Sequence, residues 1–465
     1  MIAITDLSAW ALAERIRHGR LTAAGAVEAY LERIAGMDPE VAAYVTVLAG
    51  RARAEAVTRD TEARSGRWRG PLHGVPVAVK DLIQIEGVPL TAGSSFLGSE
   101  PSRETATVVR RLEAAGAVVL GTTTLHEFAL GMTSLNPHGR TPRNPWRFDR
   151  VAGGSSGGSA VAVAAALAAG AVGTDTGGSI RIPAALCGVV GLKPTFGRIS
   201  RAGVLPLSGS FDTVGPIARC VTDAALFLGV MAGVDPADPA SRDVPVDSYI
   251  EQVARVRPHL RVGQLVGPFF EADLDPAVAR AVDEAARACV EAGFAVRPAL
   301  LRTPEEAGWA QVTLLLAEAA VYHRDAYPGM RERYGRDVRA LLDQGEEVTA
   351  VMRSEARKVQ SRVTAELSEA FGEVDILLGP AQPAGAPRLE DADPQGSAWP
   401  HVRRLLGRFS RLYNLTGLPA IVLPAGLTDE GLPVAVQLAA DQFREGTLLG
   451  CARVIEQALG WPAKG

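Results

Sequence analysis

The sequence contains few cysteines, and none of them are clustered. The four it has are widely spaced and form no C-x-x-C pair: Cys187, Cys220, Cys289 and Cys451. This spacing argues against both a disulfide framework and a cysteine-based zinc site. A protein without disulfides is suited to a reducing compartment, so a cytoplasmic location is expected.

An excess of charge of one sign and long apolar runs are also missing. The formal net charge of -4 provides no basic field to hold phosphates, so nucleic acid is not expected as a partner. The most apolar stretch, residues 160–173, is rich in alanine and shorter than the roughly 20 residues that cross a bilayer. The first residues include Asp6 and have no basic segment before an apolar one, so no signal peptide is expected. A membrane is therefore not an expected partner either.

The remaining composition is that of a large folded protein. Hydrophobic residues make up 47% of the 465 residues and charged residues 22%, which favours a packed core over disorder. A chain of this length can form one large sheet-based domain or two smaller domains.

Hydrophobic periodicity predicts an α/β protein. Residues 7–17 and 22–34 have helical patterns, with Asp6 and Thr22 as expected N-caps. Further along, short β-branched runs alternate with helical segments. The predicted strands are 75–79, 118–121, 171–175, 261–266, 294–297, 374–378, 420–424 and 433–438, and the helices 105–115, 159–169, 276–292 and 445–459. A long helical region over residues 304–371 is a candidate substrate lid.

Glycines are concentrated around serines in two short segments. Residues 153–159 read GGSSGGS, and residues 173–181 read GTDTGGSIR. Because glycine admits positive φ and close approach, Gly177 and Gly178 can direct backbone N–H groups toward one point beside Ser179. Pro183 suits the first turn of a helix, which would place Ser179 near a helix N-terminus. Both features favour an oxyanion-binding site next to a nucleophilic serine.

A serine nucleophile needs a neighbouring base. The seven histidines are scattered, and none lies in a glycine-framed motif, which weakens a Ser-His-Asp arrangement without excluding it. Lys80 ends the apolar run GVPVAVKD at residues 74–81. Burial at the end of a strand would lower the pKa of its amine from about 10.4 and allow it to accept a proton.

The lysine segment at residues 74–81 precedes the two serine segments at residues 153–159 and 173–181. Together they resemble the amidase-signature family, and the match continues through CGVVGLKPT at residues 187–195. Weaker similarity follows in VDILLGP at 374–380 and NLTGLPA at 414–420, so the resemblance covers roughly residues 60–460. It implies a single α/β/α sandwich with a mixed central sheet over residues 61–465, including the helical insertion near 304–371. An N-terminal helical arm over residues 1–60 and a homodimer are also expected.

The resemblance assigns roles by matching motifs. Lys80 corresponds to the catalytic lysine, Ser155 to a bridging serine that follows a cis peptide bond from Gly154, and Ser179 to the acyl-accepting nucleophile. The implied oxyanion hole consists of the backbone amides of Thr176, Gly177, Gly178 and Ser179.

Further roles are implied for residues around these three. Ser156 and Asp175 are expected to hold the loops by hydrogen bonds. Residues 127–134 resemble the family segment that lines the acyl pocket, which makes Gly131 and Met132 expected substrate contacts. The implied reaction is hydrolysis of a small carboxamide to a carboxylate and ammonia or an amine through an acyl-enzyme, with no metal or organic cofactor.

Two alternative functions are also compatible with the family resemblance. One is a glutaminase-like component of a tRNA-dependent amidotransferase, which would require partner subunits. Such components typically carry an acidic residue a few positions before the NLxGLP motif, where this sequence has Gly407. The other is a catalytically silent binding protein, which would be expected to have lost Lys80, Ser155 or Ser179.

Other patterns are less consistent with the sequence. Residues 154–158 match the G-x-S-x-G elbow of α/β-hydrolases, with His259, His323 or His401 downstream, but residues 144–150 do not form the apolar strand that precedes such an elbow. The same glycines lack the G-K-[ST] ending of a phosphate-binding loop. Cys187 lies among small apolar residues typical of packing, and His126 and Glu127 have no second histidine at metal-ligand spacing.

Overall fold

A single mixed sheet organises the protein. The computed structural model describes residues 3–255 and 259–461. Its strands are β1 (Tyr44–Val47), β2 (Pro76–Lys80), β3 (Val118–Thr123), β4 (Gly170–Asp175), β5 (Val190–Lys193), β6 (Thr213–Ala218), β7 (Arg261–Val266), β8 (Ala295–Leu300), β9 (Ile376–Pro380), β10 (Ala420–Leu427) and β11 (Pro433–Ala439). They form one 11-stranded sheet in the order β1-β3-β2-β4-β6-β5-β10-β11-β9-β7-β8.

Helices surround this sheet. They are α1 (Ala9–Arg17), α2 (Ala23–Val41), α3 (Ala49–Arg64), α4 (Thr107–Ala114), α5 (Gly157–Ala164), α6 (Arg181–Cys187), α7 (Val221–Met231), α8 (Tyr249–Ala254), α9 (Pro268–Glu271), α10 (Pro276–Glu291), α11 (Pro304–Ala326), α12 (Arg336–Glu346), α13 (Ala350–Glu373), α14 (Trp399–Gly407), α15 (Arg411–Leu415) and α16 (Glu445–Leu459). Within residues 3–255 and 259–461, none of them is both long and apolar enough to cross a membrane.

The sheet combines parallel and antiparallel pairs, which confirms the predicted α/β class. Strand β2 is parallel to both β3 and β4, and β7 is parallel to β8 and β9. The pairs between these two parallel groups, such as β4 with β6 and β10 with β11, are antiparallel. All residues of β2, β3 and β4 are buried. Such burial on both faces explains why these strands read as continuous apolar runs.

The N-terminal segment differs in part from its prediction. Thr22 is the N-cap of α2 and accepts a hydrogen bond from the Gly25 amide at 2.9 Å, as expected. Helix α1 begins two residues later than predicted, so its N-cap is Ser8 and not Asp6. The segment also contributes β1, which pairs antiparallel with β3 at the sheet edge. This four-residue strand is too short to give a periodic signal. The domain boundary near residue 60 remains a prediction.

The parallel strands β2 and β4 position the candidate site. Lys80 is the last residue of β2 and Asp175 the last residue of β4, and the two strands pair directly. Since parallel strands end at the same edge of a sheet, both side chains lie at one edge. The GGSSGGS segment leads into α5 at Gly157, and the GTDTGGSIR segment leads from β4 into α6.

Candidate active site

Lys80 and Ser155 form a buried hydrogen-bonded pair. Lys80 Nζ donates to Ser155 Oγ at 2.8 Å and to Thr174 Oγ1 at 2.9 Å, and neither Lys80 nor Ser155 is exposed to solvent. The Gly154–Ser155 peptide bond is cis, as the family resemblance implies. Burial lowers the pKa of Lys80 to about 7, against the opposing effect of the Asp175 and Asp212 charges. The amine is therefore partly neutral near neutral pH and able to accept a proton.

Ser156 connects this pair to Ser179. Its backbone N–H donates to the Ser179 carbonyl at 3.1 Å. Its hydroxyl donates to the Thr174 carbonyl at 3.1 Å and accepts from the Thr174 amide at 3.3 Å. Ser156 thus ties the GGSSGGS segment to the end of β4 and to the nucleophile candidate.

Asp175 organises the turn that carries Ser179. Its carboxylate accepts from the backbone amides of Gly178 at 2.9 Å and Ile180 at 3.2 Å, and it forms a buried ion pair with Arg181 at 3.0 Å. Burial alone would raise the pKa of Asp175, but the charge and hydrogen bonds of Arg181, together with Asn414, outweigh it and hold the pKa at about 2. Asp175 is therefore ionised near neutral pH and shapes this loop.

The bond from Gly178 changes the expected set of oxyanion donors. Because the Gly178 amide donates to Asp175, it is not offered to a substrate in this structure. In the described residues, the amides of Thr176, Gly177 and Ser179 have no protein acceptor. The sequence pattern could not show which of the four amides donates within the protein, because this depends on where the Asp175 carboxylate lies.

A cavity of about 420 Å³ opens beside this turn. Its wall includes Thr176, Gly177 and Ser179 from the turn, and Gly131 and Met132 from the segment predicted to contact substrate. Residues of α11, α12, α14 and α15 complete it, several of them leucines, so much of the lining is apolar. Helices from the predicted lid region, α11 and α12, are thus part of the wall. Lys80 and Ser155 are not part of this wall and are closed to solvent.

The Gly131 segment is anchored to α12. His126 Nε2 lies 2.8 Å from Asp337 Oδ2, and Glu127 Oε2 accepts from the Gly335 amide at 2.8 Å. Burial raises the pKa of Glu127 to about 8, although its bond from Gly335 acts in the opposite direction. A side chain at Gly131 would place Cβ only 2.1 Å from His126 Nε2, so glycine is required there. These contacts fix the segment against the cavity.

The similarity of the whole chain to known proteins agrees with this geometry. The Amidase family model matches residues 25–449. The chain belongs to the amidase family. An amidase from Pseudomonas putida is 41% identical over 467 residues, an alignment that covers 99% of this chain and 98% of that protein.

Other relatives of this amidase have related names. A glutamyl-tRNA(Gln) amidotransferase subunit of Pseudomonas aeruginosa strain PAO1 is 38% identical over 456 residues, covering 93% of each chain. The peptide amidase of Stenotrophomonas maltophilia, known from an X-ray structure, aligns with a TM-score of 0.84 at 33% identity over 97% of each chain. The protein is thus a hydrolase of the amidase family that acts on amide C–N bonds.

The surroundings of the two serines do not fit an α/β-hydrolase triad. The Ser155 hydroxyl accepts a hydrogen bond from Lys80, and within the described residues no histidine side chain is hydrogen-bonded to Ser155 or Ser179. His126 contacts Ser155 only through its backbone N–H, which donates to the Ser155 carbonyl at 3.1 Å. His323 is buried elsewhere, with Nδ1 2.8 Å from the Tyr334 hydroxyl, and His401 is exposed on α14. The G-x-S-x-G match is therefore coincidental in this amidase.

Several supporting residues were not identified from the sequence. Arg181, 1% exposed, donates to Gln437 Oε1 at 2.8 Å and Asn414 Oδ1 at 2.7 Å besides its pair with Asp175. Gln311 of α11 donates to the Thr176 carbonyl at 2.8 Å. Arg181 and Asn414 lie within motifs quoted for the family resemblance, so their place in those motifs was the available signal. Gln311 lies outside those motifs, so no such signal identified it.

Proposed function

We propose that this amidase hydrolyses a small carboxamide to a carboxylate and ammonia or an amine, with Ser179 as nucleophile. The observation that carries the proposal is the buried 2.8 Å contact between Lys80 Nζ and Ser155 Oγ, which Ser156 links to Ser179 at the cavity wall. A lysine whose pKa lies at about 7 supplies the base that serine chemistry requires.

The proposed relay moves one proton through two hydroxyls. Neutral Lys80 accepts a proton from Ser155, Ser155 takes the proton of Ser179, and Ser179 Oγ bonds to the amide carbonyl carbon. The C–N bond of the tetrahedral intermediate then breaks as the proton returns through the relay to the leaving nitrogen. Water attacks the acyl-enzyme by the same route and releases the carboxylate.

The negative oxygen of the intermediate needs hydrogen-bond donors. We assign this role to the amides of Thr176, Gly177 and Ser179, which have no protein acceptor in the described part of the chain and belong to residues on the cavity wall. Asp175 and Ser410 hold this turn, since Ser410 Oγ donates to the Gly177 carbonyl at 2.8 Å. Donors fixed in advance stabilise developing charge without reorganisation.

The alternative is the glutaminase-like component of an amidotransferase, favoured by the 38% identity to the Pseudomonas aeruginosa protein. Gly407, which occupies the place of the acidic residue typical of such components, has no side chain to hold an amine. The Arg411 guanidinium lies beside it, with Cζ 2.6 Å from where a Cβ at position 407 would be. A cation there opposes binding of the glutamine ammonium group. Independent amidase activity is therefore the preferred function, while the homodimer and the cytoplasmic location remain predictions.

The proposed function is tested by ammonia release from the purified chain. We expect release from at least one member of a panel of aliphatic, aryl and ureido-type carboxamides, little release from glutamine, and none with Ser179→Ala. The mutant serves as the blank for contaminating amidases. Release from glutamine alone would favour the amidotransferase role, and a folded wild-type protein without release from any amide would contradict independent amidase activity.

Cys187 provides a matched test of the nucleophile. It is fully buried, its Sγ lies 3.3 Å from the Ala152 carbonyl, and burial raises the pKa of its thiol, so it is not a reactive thiolate. We expect Cys187→Ala to retain kcat/KM within about threefold, since small buried substitutions away from a site act mainly on stability. Loss of activity as complete as in Lys80→Ala, with the fold intact by circular dichroism, would overturn the serine mechanism.

A further inference from the structure

The cavity contains more positive than negative charge. Arg336, Arg403 and Arg411 line it, and the acidic side chain in the lining is Asp337. Asp337 is already engaged with His126 at 2.8 Å, and Arg336 reaches Gln395 at 3.3 Å. Arg403 and Arg411 therefore remain as cations whose charge the cavity wall does not balance.

Arg411 has one weak partner among the described residues. Its Nη2 lies 3.5 Å from Met132 Sδ, a weak acceptor, and the described residues place no carboxylate within ion-pair distance of its guanidinium. Burial, followed by the charge of Arg403, lowers the pKa of Arg411 to about 10, so the side chain is still protonated at neutral pH. A partly buried cation without a counter-ion is costly for the folded protein. An anionic ligand would remove that cost.

The position of Arg411 relates it to the reacting end of the cavity. The preceding residue, Ser410, is bonded to the Gly177 carbonyl at 2.8 Å, two residues from Ser179. The absence of a side chain at Gly407 provides the space that the guanidinium occupies. Arg411 thus begins α15 directly beside the turn that carries Ser179, while its head group lies against Met132.

We propose that Arg411, with Arg403 beside it, binds an anionic group on the acyl portion of the substrate, so that the preferred substrate is a short dicarboxylic acid monoamide. This inference rests on the proposed function, because it names the substrate class of the same site. The planar guanidinium presents paired N–H donors that match a carboxylate. The close approach of α15 to the Ser179 turn favours a spacer of a few carbons, and the leucine-rich wall accommodates its methylene groups.

The substrate preference is tested with matched amides. Malonamate, succinamate and glutaramate are each compared with the neutral isostere in which an isopropyl group replaces the carboxylate. We expect wild-type kcat/KM to favour the anionic member of at least one pair by on the order of 10- to 100-fold, the range for a hydrogen bond to a charged group. Arg411→Gln should remove most of this ratio and Arg411→Lys part of it. Arg404→Gln, an exposed arginine on α14, should leave it unchanged.

A binding measurement separates this inference from the proposed function. Malonate, succinate and glutarate are titrated calorimetrically into Ser179→Ala protein and into the Ser179→Ala, Arg411→Gln double variant. We expect binding of at least one dicarboxylate, weakened by on the order of 10-fold or more in the double variant. Equal binding to both proteins, no binding at all, or wild-type preference for the neutral isostere in every pair would overturn the role of Arg411. Hydrolysis of neutral amides alone would leave the proposed function intact, whereas dicarboxylate binding without amide hydrolysis would contradict the proposed function and support the anion site.

Discussion

Replacing Lys80 with methionine should reduce kcat/KM by about 10³-fold, within the range for removal of a general base. Methionine retains the length and apolar stem of the side chain but cannot accept the Ser155 proton. The side chain lies in the fully buried strand β2, so the substitution fits the site without exposing new surface. Steady-state ammonia release, with the fold checked by circular dichroism, measures the effect. Lys358→Met, at a lysine whose side chain is 64% exposed, is the matched control and should retain wild-type activity.

The pH profile tests the same role of Lys80. Since burial lowers its pKa to about 7, the amine is increasingly protonated below that pH and cannot accept a proton. We expect kcat/KM to fall with decreasing pH below about 7, by about tenfold for each pH unit, and to level off above it. A profile that stays flat between about pH 5 and pH 8 would show that no group with this pKa controls the reaction, and that Lys80 is not the base.

Asp175→Asn should lower the free energy of unfolding by about 3 to 5 kcal/mol, which is the cost of removing one charged partner from a buried ion pair. The substitution removes the counter-ion of Arg181, which is 1% exposed, and weakens acceptance from the Gly178 and Ile180 amides. Because those amides shape the turn before Ser179, activity should fall as well. Urea unfolding monitored by circular dichroism measures the stability change.

The stabilising effect of the Asp175 charge should depend on pH. The pKa of Asp175 is held at about 2, below the roughly 3.9 of an unfolded aspartate, so its charge stabilises the fold fully above about pH 4. This contribution is lost as the pH falls through about 2, and the difference between wild type and Asp175→Asn should shrink accordingly. Asp325→Asn, which removes an exposed pair with Arg324, is the control and should change stability by less than about 1 kcal/mol. Equal effects of the two substitutions would contradict the structural role of Asp175.

Local sequence patterns predicted the bounds of two elements to the residue. Strand β7 over 261–266 and helix α16 over 445–459 match their predicted bounds. Strands β5 and β6 were not predicted, although both are central in the sheet. Glycine and proline interrupt them, at Gly191 in β5 and at Gly215 and Pro216 in β6, and these residues normally indicate turns. Pairing with neighbouring strands overrides the local preference.

For the site, local motifs and spatial contacts contributed different information. The motifs around Lys80, Ser155 and Ser179 identified the candidate residues, because glycine and small residues recur wherever backbone must approach a ligand closely. They could not show that the Gly178 amide is taken by Asp175, nor that Arg181 is the partner of that carboxylate. Both facts depend on side-chain directions after β4 turns into α6.

By itself, the sequence determined the family, the α/β class and the candidate residues of the reaction, since these depend on residue types at fixed local spacing. The tertiary structure alone decided the surroundings of those residues. Lys80 meets Ser155 from 75 positions away, and Arg411 reaches Met132 from 279 positions away. The burial that lowers the pKa of Lys80 arises only when distant segments pack together. The same holds for the surroundings of Arg411, where the described residues place no carboxylate within ion-pair distance. The physical reason is that desolvation and charge pairing depend on neighbours in space, which linear spacing does not specify.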